Sequence, residues 1–103
     1  MRETPRYGHK PIDMRNVGDD RKIEKLGDFY WRKESDTHVL WLAIPSDDKE
    51  RDFYTVIRIL CASTQSNKVW QWNGDKEKPT LSPSVHTIGY WHGWIRDGRL
   101  VEA

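Results

Sequence analysis

The sequence predicts an all-β domain, a small antiparallel sandwich or partly open barrel of about five or six strands. Three observations carry this. HVLWLAI (38–44) and FYTVIRILC (53–61) are apolar runs rich in β-branched and aromatic residues. Asn73-Gly74 and Asp97-Gly98 are strong turn pairs. Short apolar segments recur at regular spacing with polar turns between them.

The elements follow in order. Residues 1–20 hold Pro5, Gly8, Pro11 and Gly18 without an apolar period, so they read as an extended or disordered arm. Residues 21–103 then form a single β domain. Ile23 and Leu26 suit a helical turn that Gly27 interrupts. Residues 28–33 and 38–44 form a hairpin across the turn Glu34-Ser35-Asp36. The second strand is apolar on both parities, so it is central and covered on both faces, and Pro45 ends it. A charged connection, SDDKERD, leads to the strand 53–61. There Ile57, Ile59 and Cys61 share one face, and Val56, Arg58 and Leu60 the other. Lys68 to Trp72 is a short strand with Trp70 and Trp72 on one side. In PTLSPS, Pro79 and Pro83 forbid a central strand and hold the backbone extended. Val85 to Ile95 reads as a further strand, and Asp97-Gly98 as a type I′ hairpin tip.

Composition limits the function classes. At 103 residues the chain builds one compact domain. Charged residues are 32% and aromatic residues 12%, so the core relies on bulky rings. The net charge of +1 gives no general attraction to nucleic acid or an acidic membrane. The longest apolar run, Val39 to Ile44, is six residues, far below the roughly 20 that span a bilayer. MRETPRYGHK lacks the apolar centre of a signal peptide. The lone Cys61 excludes an internal disulfide and reads as a buried thiol in a reducing, cytoplasmic setting.

The candidate site lies between Trp70 and Asp97. Trp70 and Trp72 sit beside a turn, where paired indoles can stack on a flat ligand. Thr80, Ser82 and Ser84 share one side of the proline-stiffened run, with Leu81 opposite. Such hydroxyls suit either a polar ligand or the backbone at a structural crossing. His86, Tyr90, His92 and Trp94 alternate along one strand face as a polar-aromatic wall, with Trp91 beside it. A metal pair of His86 and His92 meets a geometric objection. Six residues of strand separate them by about 20 Å, and only a sharp bend at Gly89 joins them. No cofactor is implied. The chain has no G-x-S-x-G, no glycine-rich phosphate loop and no His-Glu-x-x-His. Spacing gives no support to His92 acting with Asp97 or Glu77.

The residues Trp70, Trp72, Asn73, Gly74, the run Pro79 to Ser84, His92, Gly93, Asp97 and Gly98 carry a resemblance. Their pattern resembles small phage and prophage proteins of the domain-of-unknown-function 6527 group. It covers about the last third of the chain and implies a viral setting. Some relatives carry cysteines that look metal-binding, which this chain lacks.

The expected function is a phage-associated binding protein that captures a small polar, nucleotide-like ligand and interferes with a host process. Its site would comprise Trp70, Trp72, Asn73, Thr80, Ser82, Ser84, His86, Trp91, His92 and Trp94. The alternatives are a protein-interaction inhibitor of a host enzyme and a small metal-dependent hydrolase around the two histidines.

Overall fold

The computed structural model describes residues 11–35, 37–46, 54–62, 69–87 and 91–103. The first ten residues of the arm, the charged connection from residue 47, Phe53 and the polar turn over 63–67 lie outside them. The described chain is all-β. Its strands are β1 (Ile12–Asp13), β2 (Arg15–Asn16), β3 (Asp28–Glu34), β4 (Thr37–Pro45), β5 (Tyr54–Ala62) and β6 (Trp70–Trp72). They continue as β7 (Leu81–Ser82), β8 (Val85–Thr87), β9 (Trp91–Arg96) and β10 (Arg99–Glu102). A 3-10 turn, Asp20–Lys22, is capped by the Asp19 carboxylate.

Two sheets result. One runs β1-β10-β9-β8, the other β2-β3-β4-β5-β6-β7. The expected hairpin of β3 and β4 is present, and β5 continues it antiparallel. Strand β4 is central. Leu40, Leu42 and Ile44 on one face and Val39 and Ala43 on the other are wholly buried, as its unbroken apolar run requires. Trp41 lies on the second face, stacked on Tyr30 with ring centroids 6.0 Å apart.

Three features differ from the sequence expectation. Two pairings, β2 with β3 and β5 with β6, run parallel. From Ile12 the arm is extended and pairs with both sheets, so β1 and β2 add to the strand count. Finally, Val85 to Ile95 is not one strand. Strands β8 and β9 are separate and antiparallel, and residues 88–90 between them lie outside the described set.

The core fills the space between the sheets. Phe29, Leu40, Leu42, Ile44, Ile59, Cys61, Trp72 and Leu81 come from the six-stranded sheet. Val85, Trp91, Ile95 and Leu100 come from the four-stranded one. Burying each such side chain contributes about 1.5–3 kcal/mol before entropy is charged against it. The six-stranded sheet is curved, because Asn16 on β2 reaches the Lys76 carbonyl and the Glu77 carboxylate beyond β6.

Among the described residues the chain changes sheet twice. Met14 joins β1 to β2, and Pro83 and Ser84 join β7 to β8. The first crossing is buttressed by the Met14 N–H donating to Gly98 O at 2.9 Å. Gly27 lies against it with φ +91°, and a Cβ there would sit 2.7 Å from Asp13 O. Beside it the buried Asp28 takes two hydrogen bonds from Arg15, at 3.0 and 2.7 Å. The second crossing is where the candidate site forms.

Candidate active site

The approach to the second crossing is closely hydrogen-bonded. Asn73 Oδ1 accepts the N–H groups of Asp75 and Thr80, and its amide donates to Lys78 O. The Asp75 carboxylate accepts Lys78 and Glu77 N–H groups, which hold it below the usual carboxylate range. Thr80 Oγ1 accepts the Asp97 N–H at 2.8 Å, and Pro79 O accepts the Gly98 N–H at 2.9 Å. The tip of the β9–β10 hairpin therefore grips the PTLSPS run. Asp97 and Gly98 both have positive φ, 48° and 72°, as the Asp-Gly pair leads one to expect. The Ser82–Pro83 bond is cis.

Ser84 is the last residue before β8. Its carbonyl accepts the Trp70 indole N–H at 3.4 Å. Its side chain lies over the outer face of the four-stranded sheet, with Oγ 3.1 Å from His92 Nε2. His92 is carried by β9, directly opposite His86 on β8, and the two imidazoles are 4.7 Å apart between centroids. The hairpin of β8 and β9 thus achieves what a continuous strand could not. It brings His86 and His92 to one spot, with Ser84 beside them. Among the described residues no group of three metal-binding side chains forms.

The local sequence explains why His92 stands where it does. Gly93 follows it and faces inward, where a Cβ would lie 2.1 Å from the Trp91 indole and 2.5 Å from Val101 O. Only glycine lets the Trp91 ring fold beneath the strand while His92 points outward. Ala103 donates its N–H to His92 O at 3.0 Å, which fixes the main chain of His92 against the end of β10.

This arrangement has a definite chemical competence. For Ser84 to donate to His92 Nε2, the neutral ring must carry its proton on Nδ1. Nε2 is then a base within hydrogen-bond reach of a hydroxyl, the arrangement that activates a serine nucleophile. Ser84 is half-buried, and both histidines are exposed, so the pair is open to a reactant.

The other expected site residues have different surroundings. The shared face of Trp70 and Trp72 is turned inward. Trp72 is 7% exposed, packed by Trp31 and His38, and donates to Asp75 O. Trp70 is half-buried against the core. Trp91 is buried beneath β9. Trp94 is half-buried on the outer face, covered by the Arg96 guanidinium 4.5 Å from its ring. Asn73 and Thr80 serve the turn, and Ser82 is exposed opposite Gln71 on β7. Ser84, His86 and His92 are therefore the members that converge. A surface cavity of about 400 Å³ lies elsewhere, lined by Arg15, Asn16, Val17, Lys22 and Glu24. It contains neither Ser84 nor His92.

A family model described as BubE, bacterial ubiquitination-like system serine protease, matches residues 16–103. The chain belongs to the BubE family. No curated protein and no solved structure matches it. In this BubE family member the matched region takes in Ser84, His86 and His92. The sequence puts Ser84 and His92 among the site residues but does not pair them, because no short motif links them. The signal for their approach is Gly89, the position of the bend that the sequence requires to join the two histidines.

Proposed function

We propose that this BubE family member is a serine protease with Ser84 as nucleophile and His92 as general base. The observation that carries the reading is the 3.1 Å approach of Ser84 Oγ to His92 Nε2 on an exposed face. The family description supports the reaction class and suggests that the scissile bond belongs to a protein of a ubiquitination-like system.

The chemistry follows from the pair. His92 Nε2 takes the Ser84 proton as Oγ bonds to the carbonyl carbon of the scissile amide. The tetrahedral intermediate collapses when the carbon–nitrogen bond breaks and His92 returns the proton to the departing amine. The acyl group now rests on Ser84. Water attacks the acyl carbon as His92 accepts its proton, then the carbon–Oγ bond breaks and His92 returns that proton to Ser84 Oγ, freeing the acid and the hydroxyl. The His86 ring lies beside that of His92, tilted 32° from it with the centroids 4.7 Å apart.

Capture of a polar ligand would use the same exposed hydroxyl and histidines. Catalysis is favoured because Ser84 faces the ring nitrogen of His92, a group able to remove its proton. The test is labelling by a fluorophosphonate, which reacts with activated serines. The expected adduct maps to Ser84 in the wild-type chain and is absent from Ser84→Ala. His92→Ala should slow labelling by about 10³-fold or more, in line with losses seen when one member of such a unit is removed. A chain that takes up no label, or labels equally well as Ser84→Ala, overturns the proposal.

A further inference from the structure

The strand that follows the nucleophile has an open edge. Strand β8 ends the four-stranded sheet. The hydrogen-bond phase of that sheet determines which backbone groups of β8 point outward. Arg96 and Arg99 flank the two-residue turn Asp97-Gly98 and face each other across it, so they form a hydrogen-bonded pair. The phase alternates along β9, and the Ala103 N–H bond to His92 O confirms it. The backbone groups of His92 therefore point towards β10. His86 is the register partner of His92, so the two form a non-hydrogen-bonded pair, and the N–H and C=O of His86 point away from β9. Among the described residues no strand pairs with that side. The outward Ser84 carbonyl obeys the same phase, and there it meets the Trp70 indole.

From this geometry we infer that the substrate binds as an extended polypeptide strand along the free edge of β8, antiparallel to it, anchored on the N–H and C=O of His86. The inference rests on Ser84 being the nucleophile. An extended chain adds to a sheet edge through its own backbone groups, so this mode of docking accepts varied side chains. Register then fixes the cleavage point. Ser84 precedes His86 by two residues, and because the Trp70 indole already holds its outward carbonyl, backbone pairing with the substrate ends at His86. On an antiparallel partner, the substrate residue paired with His86 lies two residues before the one whose carbonyl meets Ser84.

Two variants separate docking from chemistry. His86→Pro removes the outward N–H without touching a ladder bond, whereas His86→Ala keeps that N–H and loses only the imidazole. The substrate is a fluorogenic peptide selected from a random library by cleavage. Relative to His86→Ala, His86→Pro should raise KM about five- to tenfold, the value of one backbone hydrogen bond. Fluorophosphonate labelling of Ser84 needs no peptide and should proceed at similar rates in both. Equal KM values in the two variants overturn the docking mode and leave the serine chemistry intact. So does labelling of Ser84 with no peptide in the library cleaved. If the proline variant melts early or loses its labelling, N-methylation of the peptide decides. Loss confined to the residue two before the cleavage point supports the register, and a flat or shifted response overturns it. Absence of labelling in the wild-type chain defeats the proposed protease itself.

Discussion

Trp70 on β6 donates its indole N–H to the carbonyl oxygen of Ser84, 3.4 Å away, at the corner where the chain leaves one sheet for the other. The main chain of Ser84 is thereby tied to the six-stranded sheet, while its hydroxyl faces the His92 ring on the four-stranded sheet. Trp70→Phe keeps most of the ring packing and removes the donor. It should cost about 1 kcal/mol of stability. The rate of fluorophosphonate labelling should fall about three- to tenfold, because the loosened corner no longer fixes Oγ. Labelling at the wild-type rate would show that this bond does not position the serine.

Gly93→Ala is a sharper probe of how His92 is held. Its Cβ would meet the Trp91 ring at 2.1 Å and Val101 O at 2.5 Å. Neither can yield far, since one is core and the other is ladder backbone. The variant should lose about 3 kcal/mol, read from denaturant unfolding, and β9 should shift enough to depress Ser84 labelling. A stable, fully reactive variant would mean that the Trp91 ring does not lie beneath Gly93.

The Arg15–Asp28 pair predicts the acid limit of the fold. Burial alone would raise the Asp28 carboxyl. Hydrogen bonds from Arg15 and from the Glu24 and Lys25 N–H groups outweigh it and hold Asp28 below its ordinary value of 3.8. A carboxylate depressed in the folded state stabilises it above its unfolded pKa, and that contribution disappears as pH falls through the folded value. Unfolding free energy should therefore drop as the pH falls below about 4. Asp28→Asn should lose about 1–3 kcal/mol at neutral pH, and its acid slope should be shallower. An unchanged slope would place the pH dependence elsewhere.

Cys61 should not react in the native state. Burial pushes its thiol up to about 12, and no part of the residue is exposed. At pH 8 iodoacetamide should modify it only after denaturation, and treatment should leave Ser84 labelling intact. Rapid native alkylation would contradict its place in the core.

The sheets were more legible in the sequence than the site. The hairpin of β3 and β4 follows from apolar runs bounded by turn residues. The β9–β10 hairpin follows from Asp97-Gly98, whose backbone angles few other pairs accept. The separation of β8 from β9 had only Gly89 as its signal. HTIGYWH has no strong turn pair, so both histidines were assigned to one strand. The pairing of Ser84 with His92 depends on two events that periodicity does not encode, a change of sheet at Pro83–Ser84 and the reversal before Trp91. The exposed indole pair was expected because Trp70 and Trp72 alternate beside a turn. Parity fixes that they share a face, but the partners Cys61 and Leu81 decide that the face is the core side.

Ser84 and His92 reach each other from different layers, one from a corner between the sheets and the other from within a ladder. Their separation is therefore a gauge of how the layers sit on one another. Mild heat or denaturant that lets the sheets slide by an ångström should silence Ser84 while circular dichroism still reports intact strands. Reactivity would then be the first property of this molecule to go, and strand content the last.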